Sequence, residues 1–197
     1  MLDSKGRAVA RPLVSGGDPL AIAVGIDPSL TRLALAVAGD AEETVAFAAR
    51  SLSGVARLLA LRDRALEWIE RWRPAIVVME GYSMGSRVGR LADLGELGGV
   101  LKVALWEVGY REDIGTLVVV PPPQIKKFVA GRGNAEKAAV VAAVVRRWKV
   151  DVSTDDEADA YGLARLGVAL LGAGEALTEF QDDVVRKIRA KLPVELA

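Results

Sequence analysis

Short apolar runs and longer periodic ones alternate along this chain of 197 residues. Leu20–Asp27 (LAIAVGID) has strand length, Leu33–Val37 (LALAV) follows a Pro-Ser turn, and Thr44–Ala49 alternates weakly. These three runs predict a meander, and so an antiparallel start to a sheet. The apolar positions Val55, Leu58, Leu59, Leu66 and Ile69 recur at helical spacing up to Trp72, with Ser53 placed to cap that helix and Pro74 to end it. Ala75–Met79 (AIVVM) reads as a buried strand that delivers Glu80 at its C-terminal end. Arg87–Val108 carries Leu91, Leu94, Leu97, Leu101 and Leu105 on one stripe and predicts a long helix. Gly95, Gly98 and Gly99 within it each cost up to about 1 kcal/mol relative to Ala. They imply close approach of another backbone, either the domain's own sheet or a second copy of the chain.

Thr116–Val120 (TLVVV) is a further strand, stopped by Pro121, Pro122 and Pro123. Beyond the glycine turn Gly131-Arg132-Gly133, Asn134 is placed to cap a helix from Ala135 to Trp148. Another helix runs from near Asp155 through Leu171, and the amphipathic stretch Glu175–Leu192 adds a last one. The order β-β-β-α-β-α-β-α-α predicts an α/β fold, a mixed sheet flanked by helices with one helix appended at the C-terminus. Residues 1–19 read as a flexible leader, 20–172 as the domain and 173–197 as a helical extension.

Composition narrows the chemistry. An apolar share of 51% with 26% charged residues is a globular balance. No apolar run approaches the ~20 residues of a membrane span, and no signal-like core follows Lys5, Arg7 and Arg11, so the expected location is the cytoplasm without membrane contact. Cys and His are both absent. Disulfides, zinc ribbons, thiol nucleophiles and imidazole-based triads are thereby excluded, which leaves carboxylates, lysines, hydroxyls or a hard cation. Gly81-Tyr82-Ser83-Met84-Gly85 matches the G-x-S-x-G elbow between strand and helix, but no histidine exists to take the serine proton. No P-loop occurs and Gly131/Gly133 lack the third glycine of a dinucleotide fingerprint, so no nucleotide cofactor is expected.

The charges balance at 26 of each sign, yet unevenly along the chain. Residues 121–150 hold seven cations against the one anion Glu136, and residues 151–160 hold five acids and no cation. Asp27 and Glu80 close buried strands, where open α/β sheets bind ligands. Asp156 and Asp159, three residues apart near a helix start, share one face. Each acid alone has an ordinary explanation: a turn at Asp27, a cap at Asp155 or Asp156, a solvent-facing Glu80. Jointly they can converge on a hard cation such as Mg²⁺, and two such ions about 3.5–4 Å apart clamp the attacking and leaving oxygens of a phosphodiester. Lys126, Lys127, Arg132 and Lys137 flank a glycine turn and a helix start, a strip suited to phosphate.

Gly25-Ile26-Asp27-Pro28-Ser29, Val77-Val78-Met79-Glu80, Gly131-Arg132-Gly133-Asn134-Ala135-Glu136-Lys137 and Asp156-Glu157-Ala158-Asp159-Ala160 resemble, in order and spacing, the RuvC family of Holliday junction resolvases. The resemblance runs from about Ala21 to Leu171. It implies a ribonuclease H-like fold, a homodimer and nicking of branched DNA dependent on Mg²⁺ or Mn²⁺, with two ions per site. By position, Asp27, Glu80, Asp156 and Asp159 would be catalytic metal ligands. Lys126 and Lys137 match basic residues near the scissile strand, and the glycine-bearing helix matches the dimerising element. Tyr82, Ser83 and Arg87, after the strand-end glutamate, would join Lys127 and Arg132 in facing DNA. Ser83 stands where familiar relatives carry a wedging aromatic, with Tyr82 one place earlier, and Ser29 and Ala34 replace common glycines. The rivals are a branched-DNA-binding module with reduced catalysis and an actin-like ATPase or kinase.

Overall fold

The computed structural model describes residues 21–29, 32–81 and 88–193. One mixed sheet of order β3-β2-β1-β4-β5 is built from β1 (Ala23–Pro28), β2 (Arg32–Ala38), β3 (Glu43–Ala48), β4 (Ile76–Glu80) and β5 (Leu117–Val120). The meander β1-β2-β3 is antiparallel, and β4 and β5 add parallel to β1. Helices α1 (Gly54–Trp72) and α2 (Val88–Glu107) connect the strands, α2 followed by a 3₁₀ turn at Glu112–Ile114. After β5 come α3 (Pro122–Ala130), α4 (Lys137–Trp148), α5 (Asp155–Leu170) and α6 (Glu179–Arg189). The α/β expectation holds, and among the described residues no helix is long and apolar enough to cross a membrane.

The two faces of the sheet differ because side chains alternate along a strand. Val24, Ile26, Leu33, Leu35, Val37, Val77 and Met79 face α1 and α2 and pack with Trp68, Ile69, Leu97 and Leu101. The other face is small: β1 presents Ala23 and Gly25, and β2 presents Ala34, Ala36 and Ala38. Helix α5 lies flush on it. A Cβ at Gly25 would stand 2.0 Å from the Ala160 carbonyl oxygen, and one at Gly167 2.7 Å from the Ala23 Cβ. From Ala158 to Leu170 every residue of α5 except Asp159 and Arg165 is buried, as a helix under a further layer must be. That layer is α3, α4 and α6, whose Ile125, Phe128, Val140, Val144, Val184 and Ile188 join the same core.

Several expected boundaries move, each for a local reason. Pro122 and Pro123, expected to stop a strand, occupy the first positions of α3, where a missing N–H costs nothing. Helix α4 starts at Lys137 after Glu136, not at Ala135 under an Asn134 cap. Thr154 caps α5, its hydroxyl accepting from the Glu157 N–H at 3.2 Å. The buried face of α1 is Leu61, Ala65, Trp68 and Ile69, while Val55 and Leu59 are exposed. Turning the large Trp68 inward covers more apolar area than Val55 and Leu59 would, and that choice sets the helix rotation.

Candidate active site

Ile26 of β1 pairs with Met79 of β4 in parallel register, so Asp27 and Glu80 are the next residues on two neighbouring strands. Alternation puts Ala23, Gly25 and Asp27 in one row and Ile76, Val78 and Glu80 in the next, both toward α5. The two acids are therefore the last members of the α5-facing rows. Because Gly25 lets α5 sit against β1, the first turns of α5 arrive over the same strand ends and bring Asp156 and Asp159. Glu80, Asp156 and Asp159 thereby lie within electrostatic reach of Asp27, which is only 7% exposed.

Their proximity registers as proton affinity. Burial pushes the Asp27 carboxyl well above the usual carboxylate range, and the charges of Glu80, Asp159 and Asp156 push the same way. Glu80 is raised to about 7 by burial and then by Asp159, while a hydrogen bond with Asp27 and the cations Lys126 and Lys137 pull it back. Asp159 is raised to about 6, burial outweighing Lys137 and Lys126. Asp27 and Glu80 thus share a hydrogen bond that requires one of them to hold a proton.

An all-oxygen set of mutually repelling carboxylates suits a hard divalent cation, whose charge would offset that repulsion. Among the described residues no three acidic side chains stand close enough together to hold a metal ion as they are placed.

The cations divide. Lys126 on α3 and Lys137 at the start of α4 lie within electrostatic reach of Glu80 and Asp159. Lys137 bonds Asp155, which raises the lysine and lowers the acid. Lys127 points elsewhere, to Asp183 of α6 at 2.6 Å, an acid that also takes Lys187 at 3.0 Å. Successive helical side chains diverge by about 100°, so Lys126 and Lys127 cannot serve one site. Lys127 thereby fastens α6 to α3. Arg132 is exposed on the turn between α3 and α4. Tyr82, Ser83 and Arg87 lie outside the described residues.

One residue the sequence reading passed over is Arg32, whose Nη1 stands 3.7 Å from Asp156 Oδ2. The alternation Arg32, Ala34, Ala36, Ala38 carried the signal, since it makes Arg32 the last member of the α5-facing row of β2.

A stability consequence follows from the raised carboxyls. An acid whose folded pKa exceeds its unfolded value gives the folded state extra protons, and stability falls as pH rises through that window. The window runs from the ordinary carboxylate range up to about 7 for Glu80 and about 6 for Asp159. In chelator, the protein is expected to lose on the order of 2–3 kcal/mol between pH 5 and pH 8, read by denaturant unfolding at each pH. Millimolar Mg²⁺ or Mn²⁺ at pH 8 should recover most of it. Equal stability at both pH values would contradict this description of the acid cluster.

Comparison with known proteins gives a consistent result. The family model described as crossover junction endodeoxyribonuclease RuvC matches residues 23–166. The RuvC of Mycobacterium ulcerans is 31% identical over 151 residues, which cover 72% of this chain and 79% of that one. The Thermus thermophilus RuvC structure superposes with a TM-score of 0.60 at 26% identity, over 79% of this chain and 99% of that chain. The fold is shared also with T. thermophilus RuvC in complex with Holliday junction substrate, TM-score 0.60 at 23% identity, covering 87% and 95% of the two chains.

Proposed function

The chain belongs to the RuvC family of crossover junction endodeoxyribonucleases, and we propose that Asp27, Glu80, Asp156 and Asp159 are the residues through which it nicks branched DNA. It is a structure-selective endonuclease that resolves Holliday junctions, in a family of divalent-metal-dependent nucleases. The observation that carries the residue assignment is the convergence of four carboxylates from β1, β4 and α5, three of them with raised proton affinity. The proposed cation is Mg²⁺, with Mn²⁺ as substitute and two ions per site. Bound there, it supplies charge neutralisation at the phosphodiester and activation of water. Asp27 and Glu80 hold the buried side of the site on rigid strand ends, and Asp156 and Asp159 close it from α5. Lys126 and Lys137 stand by to neutralise the phosphate as water adds to phosphorus and the 3′ oxygen leaves. The actin-like and catalytically reduced readings are not favoured. Binding is tested by competition in chelator at about 150 mM salt: a four-way junction should outcompete linear duplex by at least about tenfold, and equal affinity would contradict junction selectivity.

We further propose a homodimer formed through α2. Gly95, Gly99, Val103 and Trp106 follow one another at helical spacing, Val103 is 60% and Trp106 44% exposed, and a Cβ at Gly99 would meet nothing within 4 Å among the described residues. The alternative use of these glycines, contact with the domain's own sheet, has no support at Gly99, since the sheet takes Leu97, Leu101 and Leu105. Val103→Glu should halve the mass seen by analytical ultracentrifugation at micromolar protein. An unchanged mass would remove α2 from the interface.

A further inference from the structure

We propose that Arg32 is a fifth functional residue of the nicking site, a guanidinium that leaves Asp156 when DNA binds and takes a phosphate of the cleaved strand. This rests on the reading of the four acids as that site. Three adjacent strands end their α5-facing rows at the same edge, β2 in Arg32, β1 in Asp27 and β4 in Glu80. The Ser29 N–H donates to the Arg32 carbonyl at 3.1 Å, so the hairpin itself sets where Arg32 stands.

Its partnership with Asp156 is loose. The 3.7 Å separation is too long for a hydrogen bond, and the two side chains are 27% and 22% exposed. Arg71 and Arg165 differ: Arg71 grips Glu43 with bonds of 3.0 and 2.8 Å, and Arg165 holds Glu175 at 2.8 Å. Among the described residues the Arg32 guanidinium makes no hydrogen bond, so its five donors remain available for an acceptor that fits their fork. A phosphate is such an acceptor, bound through two oxygens at once.

Placement completes the argument. Lys126 and Lys137 approach the acids from α3 and α4, whereas Arg32 approaches from β2, on the other flank of β1. A phosphodiester seated over Asp27 and Glu80 is thereby met by cations from two directions. Asp156 gives up little when Arg32 departs, because a divalent cation at the site replaces the positive charge beside it.

The test uses full-length protein with Arg32→Ala, Arg32→Gln and Arg32→Lys, each first checked for wild-type thermal unfolding; the Gln variant serves if the Ala variant melts early. At saturating junction in Mg²⁺, single-turnover nicking should fall at least about 30-fold in the Ala and Gln variants, with partial recovery in Lys, whose ammonium cannot span two oxygens. Mn²⁺ affinity without DNA, by calorimetry, should be unchanged or tighter, since a competitor for Asp156 has gone. A neutral methylphosphonate at the scissile position should weaken chelator-stable binding to wild type, and should add little to the defect of Arg32→Ala. Weaker Mn²⁺ binding together with a full methylphosphonate penalty would make Arg32 a mere holder of Asp156 and overturn the proposal. So would wild-type nicking by Arg32→Ala. Absence of nicking by the wild type itself would instead overturn the four-acid reading beneath it, and this proposal with it.

Discussion

Asp27→Asn is expected to lower single-turnover nicking of a four-way junction by about a thousandfold or more while leaving junction binding in chelator intact. The substitution keeps the shape and the hydrogen bond toward Glu80 but removes the charge at the centre of the acid set. An amide oxygen is a poor substitute for a carboxylate on a hard cation, and no histidine or cysteine exists to compensate. The same change should stabilise the metal-free fold by about 1–2 kcal/mol, because a nearly fully buried group no longer has to ionise among like charges. Lost activity with gained stability is the signature of a residue kept for chemistry. Asp159→Asn should behave alike. Asp155→Asn should stay within a few-fold of wild type, since Asp155 is turned to Lys137.

The second large effect falls on Gly25. In a strand, Gly→Ala ordinarily stabilises by reducing the entropy of the unfolded chain. Here the added methyl would lie 2.0 Å from the Ala160 oxygen and 2.5 Å from the Ala164 nitrogen, both backbone atoms of a helix buried on every side. No rotamer relieves that clash, so α5 must lift from β1. A loss above about 4 kcal/mol is expected for Gly25→Ala, a large part of the 5–15 kcal/mol that holds an ordinary domain together. Any molecule that remains folded should also lose nicking, because Asp156 and Asp159 ride on α5. Urea unfolding checks the first effect, and a loss below about 1 kcal/mol would contradict the flush packing.

Gly25 also shows what could and could not be read from the chain. As part of Gly25-Ile26-Asp27-Pro28 it was legible as a signature, but its physical cause, the approach of α5, needs a partner more than 130 residues away. The strands were legible because their apolar runs are short and bounded by turns. The four acids were legible because strand ends and helix starts are where a fold gathers side chains. Helix α3 was hidden by three prolines that stop a strand and begin a helix equally well. Lys126 and Lys127 look equivalent as neighbours, and only the position of α6 separates the one near the acids from the one bonded to Asp183. Arg32 was harder to read, because the alternation Arg32, Ala34, Ala36, Ala38 points it to a site only once α5 is laid across β1 and β2.

The most direct measurement is incision of a four-way junction labelled in turn on each of its four strands, with wild-type protein and Asp159→Asn, in Mg²⁺ and in chelator. Mg²⁺-dependent nicks in two opposed strands are expected from the wild type and none from the variant. No incision by the wild type in Mg²⁺, or equal incision by Asp159→Asn, would contradict the four-acid assignment.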